Sequence, residues 1–286
     1  MSGITAFVTR HPAPTYFALA FAISWGGVLV VIVPGGIPGV PEENAALFPF
    51  AYLAMLAGPS IAGLLLTGLV HGGAGFRELR SRMLRWRVGA RWYAVALLTA
   101  PLVATAVLLG LSLASPIFLP GIYTSDDKAS ILLFGLAVGL GAGVFEELGW
   151  TAFAQPRLRR RYGVLTTGRI IGALWGAWHF LVNVWASSTS AGALPLTPFL
   201  FATLVGLLVG TLPAFRVLMV WVYDRTGSLL VAMLMHLSVT SSLIILRPPA
   251  ASGVSLLIYD LVLAAALWVV VAVVAAAGQL SREPRP

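Results

Sequence analysis

Two adjacent carboxylates, Glu146 and Glu147, lie within a long apolar stretch of this chain. They are the only charged residues in the run 131–154, which is long enough to cross a bilayer. A carboxylate at membrane depth costs about 2.5–3.5 kcal/mol on an insertion scale, so an acid inside a span is expected to serve a function. Two such charges side by side also repel each other. The pair is therefore the first candidate site.

Two histidines lie at a matching depth in other apolar stretches. His179 and His236 each follow about ten residues after the start of a stretch, and Glu146 lies about ten residues before Pro156. With a helical rise of about 1.5 Å per residue, all three lie roughly 15 Å below the same membrane face. The sequence therefore predicts one composite site built from three spans.

Glutamate and histidine without cysteine suit the activation of water. A carboxylate can take the proton of a bound water as general base, and a second imidazole can donate to the oxyanion of an attacked carbonyl. The same side chains could instead hold a divalent metal, and the spacing does not separate the two. The HExxH arrangement of zinc enzymes is absent, so we expect no cofactor. The alternative is zinc held by Glu146, His179 and His236.

Composition gives the class of protein. The chain has 286 residues, 59% of them hydrophobic and 10% charged, and its mean hydropathy is +0.93. A soluble chain is about one quarter charged, so we expect a polytopic membrane protein. The net charge of +8 comes from arginines in short loops, which favours a role in topology and contact with anionic lipid rather than nucleic acid. The absence of cysteine excludes disulfides and thiol catalysis.

The apolar segments predict an all-α bundle of about eight transmembrane helices in a single domain, 1–286. The expected spans are 15–33, 47–70, 92–116, 129–155, 169–186, 197–222, 227–246 and 256–278. Arginine-rich loops at 76–91 and 157–169 place both termini in the cytoplasm. A count of seven follows if a re-entrant segment lies near Leu212-Pro213.

Three motifs resemble the CPBP family of intramembrane proteases, which includes the Rce1-like CAAX proteases and prokaryotic bacteriocin-processing relatives. They are EELGW followed by PRLRRRYG, then WGAWH ending at His179, and then YDRTGSLLVAMLMH ending at His236. The resemblance covers about 50–245. It implies an eight-helix bundle that cleaves a peptide bond of a membrane-associated protein or peptide. It assigns water activation to Glu146 with His179, and oxyanion contact to His236 with Thr240. The expected partners are that substrate and the bilayer, and the expected location is a bacterial cell membrane.

Two positions depart from the family pattern. The motif EExxxR has Thr151 in place of its arginine, so Glu147 lacks the expected i,i+4 partner, and Arg157 lies too far along to replace it. Thr240 stands where asparagine is common. An alternative function is therefore a catalytically degenerate membrane protein that acts in binding or immunity. A proton-coupled transporter is a third possibility, but the sequence shows no inverted repeat.

Overall fold

The described part of the chain consists of helices and connecting turns, without strands. The computed structural model describes residues 3–280 and, within them, the side chains of 6–40 and 44–280. Its longer helices are α1 (Gly3–Arg10), α2 (Pro12–Ile32), α3 (Pro41–Met83), α4 (Ala90–Ser112), α5 (Lys128–Gly141), α6 (Val164–Trp185), α7 (Leu196–Val209), α8 (Thr211–Thr226), α9 (Leu229–Ile245) and α10 (Gly253–Ala276). Residues 142–154 follow α5 and contain two π-helical turns, Ala142–Glu146 and Trp150–Ala154. We call residues 142–154 the π segment. The predicted all-α bundle is confirmed.

Each predicted span falls on helical structure, and most bounds differ by a few residues, but α3 continues to Met83, well past the predicted end at 70. Within the described residues, six helical stretches are long and apolar enough to cross a membrane: 12–35, 44–83, 90–112, 128–158, 196–226 and 253–276. Helix α9 is apolar but shorter, and α6, which carries His179 and Asn183, is not among the six. The count of eight crossings stays a prediction, as does the location of the two chain ends, which lie outside the described residues.

One predicted span, 197–222, is broken in two by Gly210, which has φ −90° and ψ −126°. Proline at position 213 explains the break, because its ring would clash with the carbonyl of Val209 in a continuous helix. In the first turn of a new helix the missing N–H of proline costs nothing. The indole of Trp268 donates to the freed Val209 carbonyl at 2.8 Å. The interruption therefore lies next to the point that the sequence indicated for a re-entrant segment.

The π segment lies in the interior of the bundle, against α2, α3 and α9. Close approach depends on glycines: a Cβ at Gly143 would collide with the backbone of α9, and one at Gly149 would collide with the Pro59 carbonyl of α3. Helices α7 and α8 both pack along α6, which brings three stretches with polar residues together. This packing places the acids opposite α6, α8 and α9.

Candidate active site

The backbone that carries the two acids is held by α3. In the second π turn, the amide of Ala154 donates to the carbonyl of Gly149, five residues earlier, at 2.9 Å. Such turns leave carbonyls without helical partners. The hydroxyl of Ser60 donates to the Phe145 carbonyl at 2.8 Å, and Arg82 donates to the Ala152 carbonyl at 3.2 Å. The acids therefore stand on a backbone braced by side chains of a neighbouring helix.

Glu147 is paired with an arginine of α8 that the sequence reading did not include. Arg216 donates to both carboxylate oxygens of Glu147, at 2.8 and 2.9 Å. The two side chains are fully buried, with 0% exposure each. Thr151 donates its hydroxyl to the same carboxylate and lies 3.4 Å from the Arg216 guanidinium. The sequence left the charge compensation of Glu147 unexplained, and in the structure the cation comes from another helix.

Glu147 also binds one of the two predicted histidines. The Nδ1 atom of His236 lies 2.6 Å from Glu147 Oε1, and its Nε2 atom lies 3.8 Å from Glu146 Oε2. A carboxylate only accepts, so Nδ1 carries the hydrogen of this bond. The Nε2 edge of the ring therefore faces Glu146.

Trp175 connects the remaining predicted residues. Its indole Nε1 donates to Glu146 Oε2 at 2.8 Å, and its carbonyl lies 2.9 Å from Nδ1 of His179. The indole packs edge-on against the His179 ring, with centroids 5.5 Å apart, and against the His236 ring at 5.0 Å. Arg216 lies over the same indole, 4.5 Å from the ring centre. Trp175 therefore packs against both histidines and forms a hydrogen bond to the first acid.

A cavity of about 940 Å³ borders this cluster. It lies between α6, α7, α9 and α10, and its lining includes Trp175, His179 and Thr240. Apolar side chains make up most of the wall, and Arg247 and Asp260 lie at its far end, near the turn between α9 and α10. Glu146 lies behind Trp175 and is 3% exposed. Two of the predicted site residues, His179 and Thr240, therefore line the cavity.

The structure brings Glu146, Glu147, His179 and His236 into one cluster, with Thr240 on the adjoining wall. Asn183 donates to the backbone carbonyl of His179, not to its ring.

Two other polar residues take no part in the cluster. Arg157 bonds the Phe153 carbonyl and faces His71, as expected of a residue too distant to serve Glu147. His11, to which no role was assigned, packs against Phe7.

The residue that sequence reasoning missed is Arg216. It is the only charged residue between Leu196 and Tyr223, and an arginine isolated in an apolar span needs a buried partner. That signal was available from the sequence alone. The partner was not, because residues 147 and 216 meet only when α8 packs beside the π segment.

The carboxylates and imidazoles of the cluster are also possible metal ligands. Across the side chains that the structure describes, no group of three histidine, aspartate or glutamate residues is arranged to hold a metal ion. Trp175 and His236 already engage Glu146, and Arg216 saturates Glu147. The proposed zinc ligands Glu146, His179 and His236 therefore do not form a ready site.

These features define a class: a multi-pass helical membrane protein with a buried cluster of glutamate, histidine and arginine beside a cavity. Comparison with known proteins adds a likeness to a family over part of the chain. Residues 128–242 match the family model described as type II CAAX prenyl endopeptidase Rce1-like. The predicted resemblance to the CPBP and Rce1-like family is thus confirmed. The matched range contains all five predicted site residues.

A curated relative from Methanococcus maripaludis, named CAAX prenyl protease 2, is 31% identical over 90 residues. This region covers 30% of the present chain and 32% of the relative, so the chain matches about a third of the relative's length.

Proposed function

We propose that this protein is an intramembrane endopeptidase that hydrolyses a peptide bond with water activated by Glu146 and His179. The observation that carries the proposal is the cluster in which Trp175 and His236 flank Glu146, next to a cavity lined by Trp175, His179 and Thr240. The match to an Rce1-like protease family supports the reaction class.

The reaction needs one water and two proton transfers. Glu146 removes a proton from the water as the water oxygen forms a bond to the substrate carbonyl carbon. The carbonyl π electrons move to oxygen and form a tetrahedral oxyanion. Glu146 then passes its proton to the leaving nitrogen, the C–N bond breaks, and the products are a carboxylic acid and an amine. His179 holds the water from the cavity side.

His236 and Thr240 stabilise the oxyanion by donating hydrogen bonds to it. They lie one helical turn apart on α9. Nδ1 of His236 donates to Glu147, so donation to the oxyanion from Nε2 requires the doubly protonated ring. The hydroxyl of Thr240 is a second donor, in place of the amide common in the family. Preorganised donors of this kind each contribute about 3–4 kcal/mol to acyl transfer.

The substrate we propose is a membrane-associated protein or peptide. The apolar wall of the cavity suits an extended segment with apolar side chains, and the name of the archaeal relative suggests a CAAX-type end. We further propose that the protein lies in a bacterial cell membrane with both termini in the cytoplasm, as the arginine-rich loops indicate. Lipid and substrate are its partners, and nucleic acid is not.

A degenerate, non-cleaving protein that acts in binding or immunity is the second candidate, favoured by Thr151 in the motif position of arginine. Arg216 weakens that argument, because it supplies the missing positive charge to Glu147. It also removes one reason to invoke zinc, namely relief of the repulsion between the two acids. We therefore propose a metal-free site.

The test is turnover by the full chain in proteoliposomes, with internally quenched peptides that include a farnesylated CAAX peptide. Glu146→Gln should abolish turnover, since the amide cannot take a proton from water. The matched control is Asp126→Asn, an exposed carboxylate in the loop before α5. Activity retained in Glu146→Gln would move the base elsewhere. Stoichiometric zinc in the purified protein, lost in both Glu146 and His179 variants, would contradict the metal-free site.

A further inference from the structure

Glu147 forms an ion pair with Arg216 of α8 and accepts a hydrogen bond from the hydroxyl of Thr151, which lies on its own segment. We propose that Arg216 and Thr151 together replace the motif arginine, and that Arg216 is the positioning residue that orients Glu147 and, through it, His236. The catalytic consequence rests on the function proposed above, whereas the structural one does not. Thr151 is then an integral part of the site rather than a mark of lost activity.

The geometry of Arg216 supports a positioning role. A guanidinium that donates two parallel bonds to one carboxylate fixes the plane of that carboxylate, which a lysine cannot do. Oε2 of Glu147 receives Thr151 and Nη1 of Arg216, and Oε1 receives Nη2 and the His236 ring. Each oxygen thus has two donors. The orientation of His236 follows from the last of these bonds.

The packing of α6 against α8 is built around this arginine. Gly172 of α6 faces the start of α8, where a Cβ would collide with Pro213 and lie 3.2 Å from Cβ of Arg216. Three residues further along α6, the Trp175 indole lies against the guanidinium. The absence of a side chain at 172 therefore lets Arg216 reach Glu147 with the indole on one side.

The contacts of Glu147 predict what a restored motif arginine would do. Both of its carboxylate oxygens already have two donors each, and Arg216 places a buried guanidinium next to Thr151. Thr151→Arg adds a second guanidinium at this fully buried position, and buried like charges repel strongly. The motif residue should therefore harm this protein unless Arg216 is removed at the same time.

The experiment compares four proteins: wild type, Arg216→Met, Thr151→Arg and the double variant. Arg216→Met should lower turnover by about a hundredfold, as expected for a misplaced catalytic group. Thr151→Arg should also lower turnover, by about tenfold or more. The double variant should exceed Arg216→Met, because the new arginine then reaches Glu147 from i+4. Thr151→Arg as active as wild type, or a double variant no better than Arg216→Met, would overturn the proposal.

A second measurement does not depend on any substrate. With ¹⁵N-labelled histidine, the ring resonances of His236, assigned from a His236→Gln sample, should shift in Arg216→Met and return toward wild type in the double variant. The matched control is Arg169→Met, an exposed arginine of α6, which should leave them in place. Unshifted resonances in Arg216→Met would refute the link between Arg216 and His236, even if no peptide is ever cleaved.

Folding yields test the proposal if Arg216→Met is unstable. If Arg216→Met does not fold, the double variant should recover the folded yield, and Arg216→Lys should fold but show displaced His236 resonances. Failure of the double variant to recover folding would contradict the replacement. By contrast, turnover retained in Glu146→Gln would refute the proposed base and leave this inference standing.

Discussion

Two buried ion pairs join the same two stretches of chain and differ in what else they touch. Glu147 of the π segment pairs with Arg216 of α8, and Arg159, just beyond that segment, pairs with Asp224 of α8 at 2.8 Å. The polarity is reversed between them. The first pair contacts a histidine and lies against Trp175, whereas Arg159 also bonds the Tyr162 carbonyl in the turn that leads to α6.

This difference shows that burial of an ion pair does not by itself mark a functional site. Both pairs are almost fully buried, and a buried pair is weak support for stability because desolvation offsets the attraction. What distinguishes Glu147–Arg216 is its contact with His236 and with Trp175, which lines the cavity. The Arg159–Asp224 pair instead holds the turn between the π segment and α6 against α8.

The largest effects should come from neutralising each carboxylate. Glu147→Gln removes the carboxylate that Arg216 contacts, and Asp224→Asn removes the carboxylate that Arg159 contacts, so each should lower the free energy of unfolding by about 3–5 kcal/mol. Only Glu147→Gln should also lower turnover per folded molecule, by about a hundredfold, because only Glu147 orients His236. Unfolding in detergent and turnover normalised to folded protein measure the two effects.

Equal losses of turnover in both variants would contradict the proposed division between a site pair and an anchor pair. Asp126→Asn serves again as the control, since Asp126 is exposed in the loop before α5. It should change neither quantity.

An intermediate effect is expected at Trp175, which joins the first pair to Glu146. Trp175→Phe keeps an aromatic ring over Arg216 and removes the Nε1 donor to Glu146. Loss of one bond to a carboxylate corresponds to about 1.5–3 kcal/mol, so turnover should fall by roughly tenfold or more. Trp178→Phe is the matched control, because its Nε1 has no hydrogen-bond partner. Equal turnover in the two variants would show that the indole acts only by packing.

The smallest effect is expected at a hydrogen bond on α5 that contacts neither ion pair. The Tyr52 hydroxyl of α3 donates to the Val138 carbonyl of α5, near the end of α5 that leads into the π segment. Tyr52→Phe should lower stability by about 0.6 kcal/mol, the average for side-chain bonds within a membrane protein. Turnover should not change. A marked loss of turnover would mean that the site senses the brace on α5.

The helices could be predicted from the sequence because each span is a continuous apolar run, and the common depth of Glu146, His179 and His236 indicated that they would meet. The break at Gly210 was signalled by Pro213. The partner of Glu147 could not be predicted, because a motif describes neighbours along one helix and Arg216 lies 69 positions away. The role of Trp175 also depends on tertiary contact, which spacing does not encode.

The second π turn has a consequence for the rotational phase of the segment. Glu147 and Arg159 are twelve positions apart, and in a regular helix, at about 100° per residue, they would point about 120° away from each other. A π turn takes up one additional residue, which leaves an offset of only about 20° by the same arithmetic. Both side chains can then face α8. A chain that lacked one residue between 150 and 154 would keep its apolar length but could form only one of the two pairs.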